Sequence, residues 1–340
     1  MTLQLVTLQL VSSRAAASPE TGGELGGTVL GAGAEAARPD WPVQRISAPL
    51  PGSTATVVAE TWRAGTAFAA GCSEGIAWRR AGDLLYGVLD LDEAAFAGDA
   101  ACPPLQAASA EAYRRIFRLL DAQGLPHLWR VWNYLDDINA VTHGLERYRQ
   151  FNIGRQDAFL ASHRGATGNV PAACTIGLAG GPLSVAFLAG VTPALAVENP
   201  RQVSAYLYPA AYGPRSPTFS RAALALLPGQ EVLFVSGTAS IVGHRTVHTG
   251  DAAAQCRETV ANIAAVVAEA NQICRSSPFA LGELVFRVYL RHAGDFPVIR
   301  ATLADLLGAG ADIVFVQADI CRADLLLEVE AFASHNLENC

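Results

Sequence analysis

The last apolar run of the chain alternates with the period of two that is typical of a β-strand. Between Leu325 and Phe332, one face carries only leucine, valine and alanine, and the other face carries Glu328 and Glu330. Two carboxylates on one face of an apolar strand are costly to bury unless they are paired or take part in chemistry. Burial raises the pKa of a glutamic acid, so that it holds a proton near neutral pH, as a general acid requires. The alternative is an edge strand with one face in solvent.

Other segments show the spacing of amphipathic helices. In 109–123 the apolar side chains recur at helical spacing, Ser109 can act as the N-cap, and Gly124 and Pro126 can end the helix. Further helices are predicted at 145–163, 251–274 and 296–307.

Short apolar or alternating runs predict β-strands. Residues 12–53 are rich in Gly, Ala, Ser and Pro and are predicted as loop, whereas 1–11 alternate like a strand or a loosely held tail. The predicted strands are 55–62, 75–79, 83–91, 128–134, 172–178, 183–191, 232–236, 284–290, 312–316 and 325–333.

A helix followed by an aromatic-Arg-Val-aromatic strand occurs twice in the chain. The first strand contains 129–132, centred on Arg130, and the second contains 286–289, centred on Arg287. This repeat predicts an α+β fold with mixed β-sheets and packed helices, built from duplicated units. We expect three parts: a loop-rich N-terminal segment (1–53), a first α+β domain (54–150) and a second, catalytic α+β domain (151–340).

The composition excludes several classes of protein. The chain has 340 residues, of which 51% are apolar and 16% are charged, so it can form a large core and is not a disordered protein. The net charge is −7 and there is no basic block, which argues against nucleic acid as a partner. No apolar run of membrane-spanning length is free of Gly, Pro or polar residues, so no membrane partner is expected.

All 24 basic side chains other than histidine are arginines, and the chain has no lysine. Schiff-base chemistry, a pyridoxal-phosphate lysine and a P-loop lysine are therefore excluded. An anionic substrate must be bound by arginine, backbone N–H groups or hydroxyls, and arginine can bind a carboxylate through two parallel hydrogen bonds.

The cysteines and histidines do not indicate a metal centre. The seven cysteines are odd in number and scattered, with no C-x-x-C, which favours a reduced cytoplasmic protein. The N-terminus lacks a basic region, so no signal peptide is expected. His244 and His248 lie outside any helical metal-binding motif. The G-x-S-x-G at 71–75 and the G-x-G-x-x-A at 31–36 lack the strand and helix contexts that catalysis or dinucleotide binding requires.

A long loop rich in proline and aromatic residues, 206–221, is a candidate binding element, because long ordered loops are often functional. It carries Tyr212, Arg215 and Arg221. A buried strand ends in small residues at 237–240, where a ligand could approach the backbone. Together these segments predict a pocket for a ring that bears carboxylates.

Five passages of the chain together carry a resemblance to one known family. They are 152–155, 212–221, 234–240, 243–244 and 321–330. This pattern resembles the chorismatase family (FkbO-like proteins), whose core is similar to the RidA/YjgF fold, a chorismate mutase-like arrangement. The resemblance extends from about residue 55 to about residue 332.

The resemblance implies an enzyme that has no metal or organic cofactor and that releases pyruvate from chorismate, a dicarboxylate enol ether. One subclass hydrolyses chorismate to a dihydroxycyclohexadiene carboxylate. The other forms 3-hydroxybenzoate through attack of the ring's own 4-hydroxyl, and the resemblance implies a cysteine where the first subclass has a small residue. Cys321 occupies that position, which favours 3-hydroxybenzoate.

The chemistry and the resemblance together select the site residues. Cleavage of an enol ether begins with protonation of its terminal methylene, so Glu328 is the predicted general acid and Glu330 the alternative. Cys321 would steer the ring or assist proton movement. The predicted binding residues are Tyr212 as hydroxyl donor, Gly237 and Ala239 through their backbone, and Arg215, Arg221, Arg287 and Arg155 as cations.

Two other functions remain open from the sequence. A RidA-like imine or enamine deaminase would use the same strand glutamate to activate water, and a non-catalytic protein could bind the same ligand. The expected partner is a small molecule, chorismate, and the chain is expected to be a monomer or a small homo-oligomer.

Overall fold

The computed structural model describes residues 3–10, 23–64, 68–99 and 101–337. Its fold is α+β, as the sequence predicts, with one four-stranded and two six-stranded β-sheets. The N-terminal sheet has the order β1-β4-β2-β3. Its strands are β1 (Leu3–Leu10), β2 (Glu24–Leu30), β3 (Val43–Ile46) and β4 (Val57–Ala64).

The first unit is a six-stranded sheet in the order β11-β8-β12-β7-β6-β5, with two helices packed on one face. Its elements are β5 (Ala69–Ser73), β6 (Ile76–Ala81), β7 (Leu84–Leu91), α1 (Pro104–Gln123), β8 (His127–Asp136), the short strands β9 (Val141–Thr142) and β10 (Leu145–Glu146), α2 (Arg147–Ala161), β11 (Ala172–Leu178) and β12 (Leu183–Gly190).

The second unit repeats this arrangement, with the order β19-β18-β20-β15-β14-β13. Its elements are β13 (Leu195–Val197), β14 (Ala222–Leu227), β15 (Gln230–Thr238), the short strands β16 (Ile241–Val242) and β17 (Arg245–Thr246), α3 (Ala252–Ile273), β18 (Val285–Leu290), α4 (Phe296–Leu307), β19 (Asp312–Gln317) and β20 (Leu327–Asn336).

The two units share not only strand order but also strand direction. In each unit the strand after the long helix pairs in parallel with one neighbour, β11 or β19, and antiparallel with the other, β12 or β20. The predicted duplication is therefore confirmed. Strand β12 corresponds to β20, and their registers place Ala186 and Leu188 where the second unit has Glu328 and Glu330. Only the second copy carries the pair of carboxylates.

The boundary predicted at residue 150 falls inside the first unit. Strands β11 and β12, assigned by the sequence to the second domain, hydrogen-bond to β8 and β7 of the first sheet. We propose that the two units divide after Gly190, because the next strand, β13, pairs with β14 of the second sheet. The repeat motif itself gave no information on how many strands follow the helix.

The prediction of loop for 12–53 is wrong over 24–30 and 43–46, which are strands; residues 11–22 lie outside the described part of the chain. The glycines that suggest a loop are required by close packing. A Cβ on Gly27 would lie 2.2 Å from the Glu60 carbonyl oxygen, and one on Gly26 would lie 2.1 Å from the Tyr86 ring.

The helix predictions are confirmed, with one corrected start. Helix α1 begins at Pro104, five residues before the predicted N-cap, because proline is tolerated in the first helical turn. Ser109 lies inside the helix, where its hydroxyl donates to the Leu105 carbonyl at 2.6 Å. At 71–75 the chain makes a hairpin turn between β5 and β6, so the G-x-S-x-G sequence is not a nucleophile elbow.

The core lies on both faces of each sheet. Helices α1 and α2 pack on the first sheet, and α3 and α4 pack on the second. The opposite faces of the two sheets, together with the N-terminal sheet, bury one shared apolar cluster that includes Trp62, Trp132, Phe234 and Phe332. Among the described helices, none is long and apolar enough to cross a membrane. The six cysteines in the described ranges are free.

Candidate active site

A cavity of about 220 Å³ opens where the second sheet meets α2 of the first unit. Both units and the 206–221 loop therefore contribute to its wall. Its floor is formed at the start of β20, beside the end of β15. The lining residues are Glu146, Tyr148, Arg149, Tyr208, Tyr212, Pro217, Phe219, Arg221, Gly237, Ala239, Ile241, Cys321, Arg322, Ala323 and Glu328.

Glu328 brings a buried carboxyl group to this cavity. Only 4% of its surface is exposed, and the Cys321 thiol lies 3.9 Å from its Oε2. Burial raises the pKa of Glu328 to about 8, and the negative charge of Glu330 adds to this effect, while Arg130 opposes it. Glu328 is therefore protonated at neutral pH and can donate its proton into the cavity.

Glu330 lies on the same face of β20, but both of its oxygens are occupied by protein groups. Arg130 contacts Oε2, the Tyr289 hydroxyl donates to Oε1 at 3.0 Å, and Arg287 Nη1 lies 3.1 Å from Oε1. Glu330 is not part of the cavity wall. Of the two carboxyl groups, only Glu328 is placed to reach a ligand.

Gly237 makes room for the Glu328 carboxyl group. The pairing of β15 with β20 is irregular between Val235 and Thr238, so the backbone at Gly237 turns toward Glu328. A Cβ at this glycine would lie 1.8 Å from Glu328 Oε1. The sequence analysis predicted that the Gly237 backbone contacts the ligand. The structure gives this glycine a further role: because it has no side chain, the Glu328 carboxyl group fits beside it.

Two arginines in the cavity wall have free donors. Arg221 is buried and donates through Nη2 to the Val203 carbonyl and the Tyr208 hydroxyl, both at 2.8 Å. Arg322 donates through Nη1 to the His244 carbonyl at 2.9 Å. Arg221 Nε and Arg322 Nη2 are buried and have no hydrogen-bond partner among the described residues. Buried guanidinium donors without partners are suited to an anionic ligand.

Aromatic side chains hold Arg322 in place. Its guanidinium lies 4.2 Å from the centre of the Tyr212 ring and 5.2 Å from that of Tyr208. The Tyr212 hydroxyl lies 3.1 Å from His244 Nδ1. Tyr212, the predicted hydroxyl donor, therefore lines the cavity. Its ring also packs against Arg322, a cation that was not predicted from the sequence.

Three predicted cations do not line the cavity. Arg215 has 47% of its side chain exposed and lies 3.4 Å from Asp157, because the loop turns its end toward solvent. Arg287 points into the space between the sheets, where Glu60 and Glu330 neutralise it. A buried arginine needs a negative partner, and for Arg287 the protein itself supplies that partner.

Arg155 lies deeper than the cavity wall. It is 1% exposed, donates to Asn152 Oδ1 at 2.7 Å and stacks on Phe151, and its Nε and Nη1 have no partner among the described residues. Its charge acts on Tyr148, which does line the cavity. Arg155 therefore contributes positive charge from behind the wall.

The sequence analysis missed several cavity residues. Arg322 directly follows Cys321, and this adjacency was the one local signal for it. Glu146, Tyr148 and Arg149 come from the start of α2 in the first unit. No pattern in a single chain connects that helix to a strand in the other unit.

The pKa of Glu328 predicts how the stability of the fold depends on pH. The folded protein holds this proton up to about pH 8, whereas an unperturbed glutamic acid releases it near 4.5. The contribution of this bound proton to the free energy of unfolding is therefore complete below about pH 4.5, and it is lost as the pH rises through about 8. Glutamine at position 328 cannot ionise, so Glu328→Gln does not lose stability in this way. The Tm of Glu328→Gln minus the Tm of the wild type should therefore be larger at about pH 9 than at about pH 5, by roughly 2–4 °C or more. A difference in Tm that is equal at the two pH values would contradict this prediction.

Comparison with known proteins gives consistent matches. Residues 60–189 match a family model described as chorismatase FkbO/Hyg5-like, N-terminal, which coincides with the first unit. A chorismatase from Streptomyces rapamycinicus is 39% identical over 80% of this chain and 81% of its own length. A 3-hydroxybenzoate synthase from Streptomyces hygroscopicus is 39% identical over 66% of this chain and 68% of its own. A crystal structure of a chorismatase superposes with a TM-score of 0.82 at 30% identity, covering 98% of both chains.

Proposed function

Because the chain belongs to the chorismatase family, we propose that it cleaves the enolpyruvyl ether of chorismate to pyruvate and 3-hydroxybenzoate. The observation that carries the proposal is the buried Glu328 carboxyl group in a cavity whose arginine donors Arg221 Nε and Arg322 Nη2 have no partner among the described residues. Chorismate is a dianion with an acid-labile ether, so it needs cations for binding and one proton for cleavage. The similarity to a 3-hydroxybenzoate synthase supports this product over the diene diol.

Binding uses the cations of the cavity wall. Arg221 and Arg322 donate to the carboxylates of chorismate, with the Tyr212 hydroxyl as a further donor, and Ala239 contacts the ring. Arg155 adds positive charge from behind Tyr148. Arg221 is buried, and Arg322 is held by the Tyr212 and Tyr208 rings, so the carboxylates meet donors that are oriented before the substrate arrives.

Cleavage starts with proton transfer from Glu328 to the terminal methylene of the enolpyruvyl group, which gives an oxocarbenium ion. The ring 4-hydroxyl then attacks C3 as the C3–O bond breaks and pyruvate leaves, and the hydroxyl proton returns to the Glu328 carboxylate. The resulting arene oxide opens at C4–O, C3 loses its proton as the ring becomes aromatic, and the oxygen on C3 gains one. The sum is chorismate to pyruvate plus 3-hydroxybenzoate, and no water is consumed.

The source of the phenol oxygen tests this route. If the 4-hydroxyl is the nucleophile, turnover in water enriched in ¹⁸O gives 3-hydroxybenzoate without label, as read by mass spectrometry. Label in the phenol would show attack by water at the ring and would contradict the route. Release of ammonia from 2-aminoacrylate, with no pyruvate from chorismate, would instead favour the deaminase.

Cys321 is proposed to direct the outcome as a neutral thiol. Burial raises its pKa to about 12, and the charge of Glu328 adds to this effect, so it is not a thiolate nucleophile. It lies beside the acid in the cavity wall, where it can exclude water and turn the ring so that the 4-hydroxyl faces C3.

Cys321→Ala is expected to shift the products toward the dihydroxycyclohexadiene carboxylate, because the smaller side chain leaves space for water. Chromatography of the products formed from chorismate measures the ratio. Cys256→Ala, which removes a buried cysteine of α3 that is not part of the cavity wall, serves as the control and should leave the ratio unchanged. An unchanged ratio in Cys321→Ala would remove the proposed role.

A further inference from the structure

Four charged side chains are buried together between the three sheets. Glu60 comes from β4 of the N-terminal sheet, Arg130 from β8, Arg287 from β18 and Glu330 from β20, and each is at most 7% exposed. Arg130 contacts Glu330, and Arg287 contacts both Glu60 and Glu330. We call these four residues the central ion cluster. None of them lines the cavity.

The central ion cluster is electrically neutral without Glu328. It contains two carboxylates and two guanidinium groups in direct contact, so each positive charge already has a negative partner. Glu328 lies two residues from Glu330 on the same face of β20. If Glu328 ionised, it would add a negative charge to a buried region in which the cation that acts on it most strongly, Arg130, is already paired with Glu330. Uncompensated buried charge is strongly unfavourable, so the proton stays on Glu328.

We propose that Glu60 is a positioning residue for the cleavage reaction: by holding Arg287, it prevents that cation from stabilising a Glu328 carboxylate. The inference rests on the proposed role of Glu328 as the general acid. It assigns a catalytic purpose to the N-terminal sheet, which otherwise only covers the core.

The groups that face these two carboxyls come from several elements. Around Glu328 they are Glu330 on its own strand, Arg130, Cys321, Arg221, Cys174 on β11 and Tyr148 on α2. Around Glu60 they are Arg287, Glu330, Asp312 at the start of β19 and Tyr86 on β7. Burial raises the pKa of Glu60 and contact with Arg287 opposes that rise. Direct contact with the Arg287 guanidinium favours the charged form of Glu60.

The hydroxyls between the sheets do not replace Glu60. Arg287 also donates to the Tyr134 hydroxyl at 2.9 Å and to the Tyr289 hydroxyl at 3.3 Å. These neutral hydroxyls accept hydrogen bonds from Arg287, but they do not neutralise its positive charge. Removing the charge of Glu60 therefore leaves the cluster with an excess of one positive charge next to Glu330, and through it next to Glu328.

The test is the pH profile of kcat/KM for pyruvate release from chorismate. A protonated Glu328 is required, so activity falls as the pH rises through its pKa. Glu60→Gln should move this fall to lower pH by about 0.5–1 unit, because the extra positive charge favours the carboxylate. Glu60→Asp retains the charge and should keep the wild-type profile. Asp312→Asn removes an exposed carboxylate near Glu60 and should shift nothing.

A double variant separates charge from packing. In Glu60→Gln with Arg287→Gln the cluster is neutral again, so the fall in activity should return to the wild-type pH. A purely structural role for Glu60 would lower activity at all pH values without moving the profile, and that result would overturn the proposal. The proposal would also be overturned if the pH profile of kcat/KM stayed shifted in the double variant, or if it did not change in Glu60→Gln.

Direct titration of Glu328 makes the test independent of turnover. Infrared spectroscopy detects the C=O stretch of the protonated Glu328 carboxyl group, and the band is assigned because it is missing in Glu328→Gln. As the pH rises, this band should disappear at a lower pH in Glu60→Gln than in the wild type. If the wild type releases no pyruvate, the proposed function fails while this titration still decides the role of Glu60. If Glu60→Gln does not fold, the double variant and Glu60→Asp must both titrate like the wild type, and a shift in either contradicts the proposal.

Discussion

Glu328→Gln is expected to lower the rate of pyruvate release from chorismate by about 10²–10⁴-fold, the usual contribution of a positioned general acid. Glutamine keeps the size of the side chain beside Gly237 and Cys321 but cannot supply the proton. Because the step it removes is proton transfer, kcat should fall much more than KM rises. Stopped assays of pyruvate over a range of chorismate concentrations measure both.

Glu330→Gln is the matched comparison for this result. It changes the same functional group two residues along the same strand, but its oxygens are bound by Arg130, Tyr289 and Arg287 rather than exposed to the cavity. It should keep measurable turnover below neutral pH. A dead Glu330→Gln with an active Glu328→Gln would reverse the assignment of the acid.

Arg221→Gln is expected to lower kcat/KM for chorismate by about 10²-fold or more, since truncating one member of a buried charged pair typically costs a few kcal/mol. The guanidinium is 4% exposed, and its Nε has no hydrogen-bond partner among the described residues, so it can donate to a substrate carboxylate. The nearby Glu198 carboxylate interacts with Arg221 but leaves this Nε without a partner. The effect should appear chiefly in KM, because the contact exists before and during the reaction.

Arg215→Gln is the control for Arg221. Both arginines belong to the same loop region, but Arg215 lies at the surface beside Asp157. Exposed ion pairs contribute little, so its kcat/KM should stay within about threefold of the wild type. A larger loss in Arg215→Gln than in Arg221→Gln would mean that the loop closes differently over the substrate.

Strand alternation in an apolar run made Glu328 visible, and the family resemblance singled out Cys321. Strand alternation placed the two glutamates on one face, and the apolar context indicated burial, both of which follow from local sequence. The sequence favoured Glu328 over Glu330 as the acid but gave no structural reason for the difference. That reason depends on Arg130 and Arg287, which reach β20 from strands 200 and 43 residues away in sequence. Such long-range contacts have no local pattern.

The duplicated fold was also predictable, but its limits were not. The repeated aromatic-Arg-Val-aromatic strand revealed two units, whereas the proposed division after Gly190 rests on which strands pair. The strands at 24–30 and 43–46 were missed. In 24–30 the glycines suggest a loop, and the close approaches of Gly26 to the Tyr86 ring and of Gly27 to the Glu60 carbonyl explain them. Arg322 was missed because a loop arginine has no periodic signal. The expected cytoplasmic location and the expected oligomeric state stay predictions.

The most direct test of the central claim is to mix the purified protein with chorismate and to separate the products by chromatography. The account predicts pyruvate and 3-hydroxybenzoate in equal amounts. A folded protein that releases no pyruvate would contradict it.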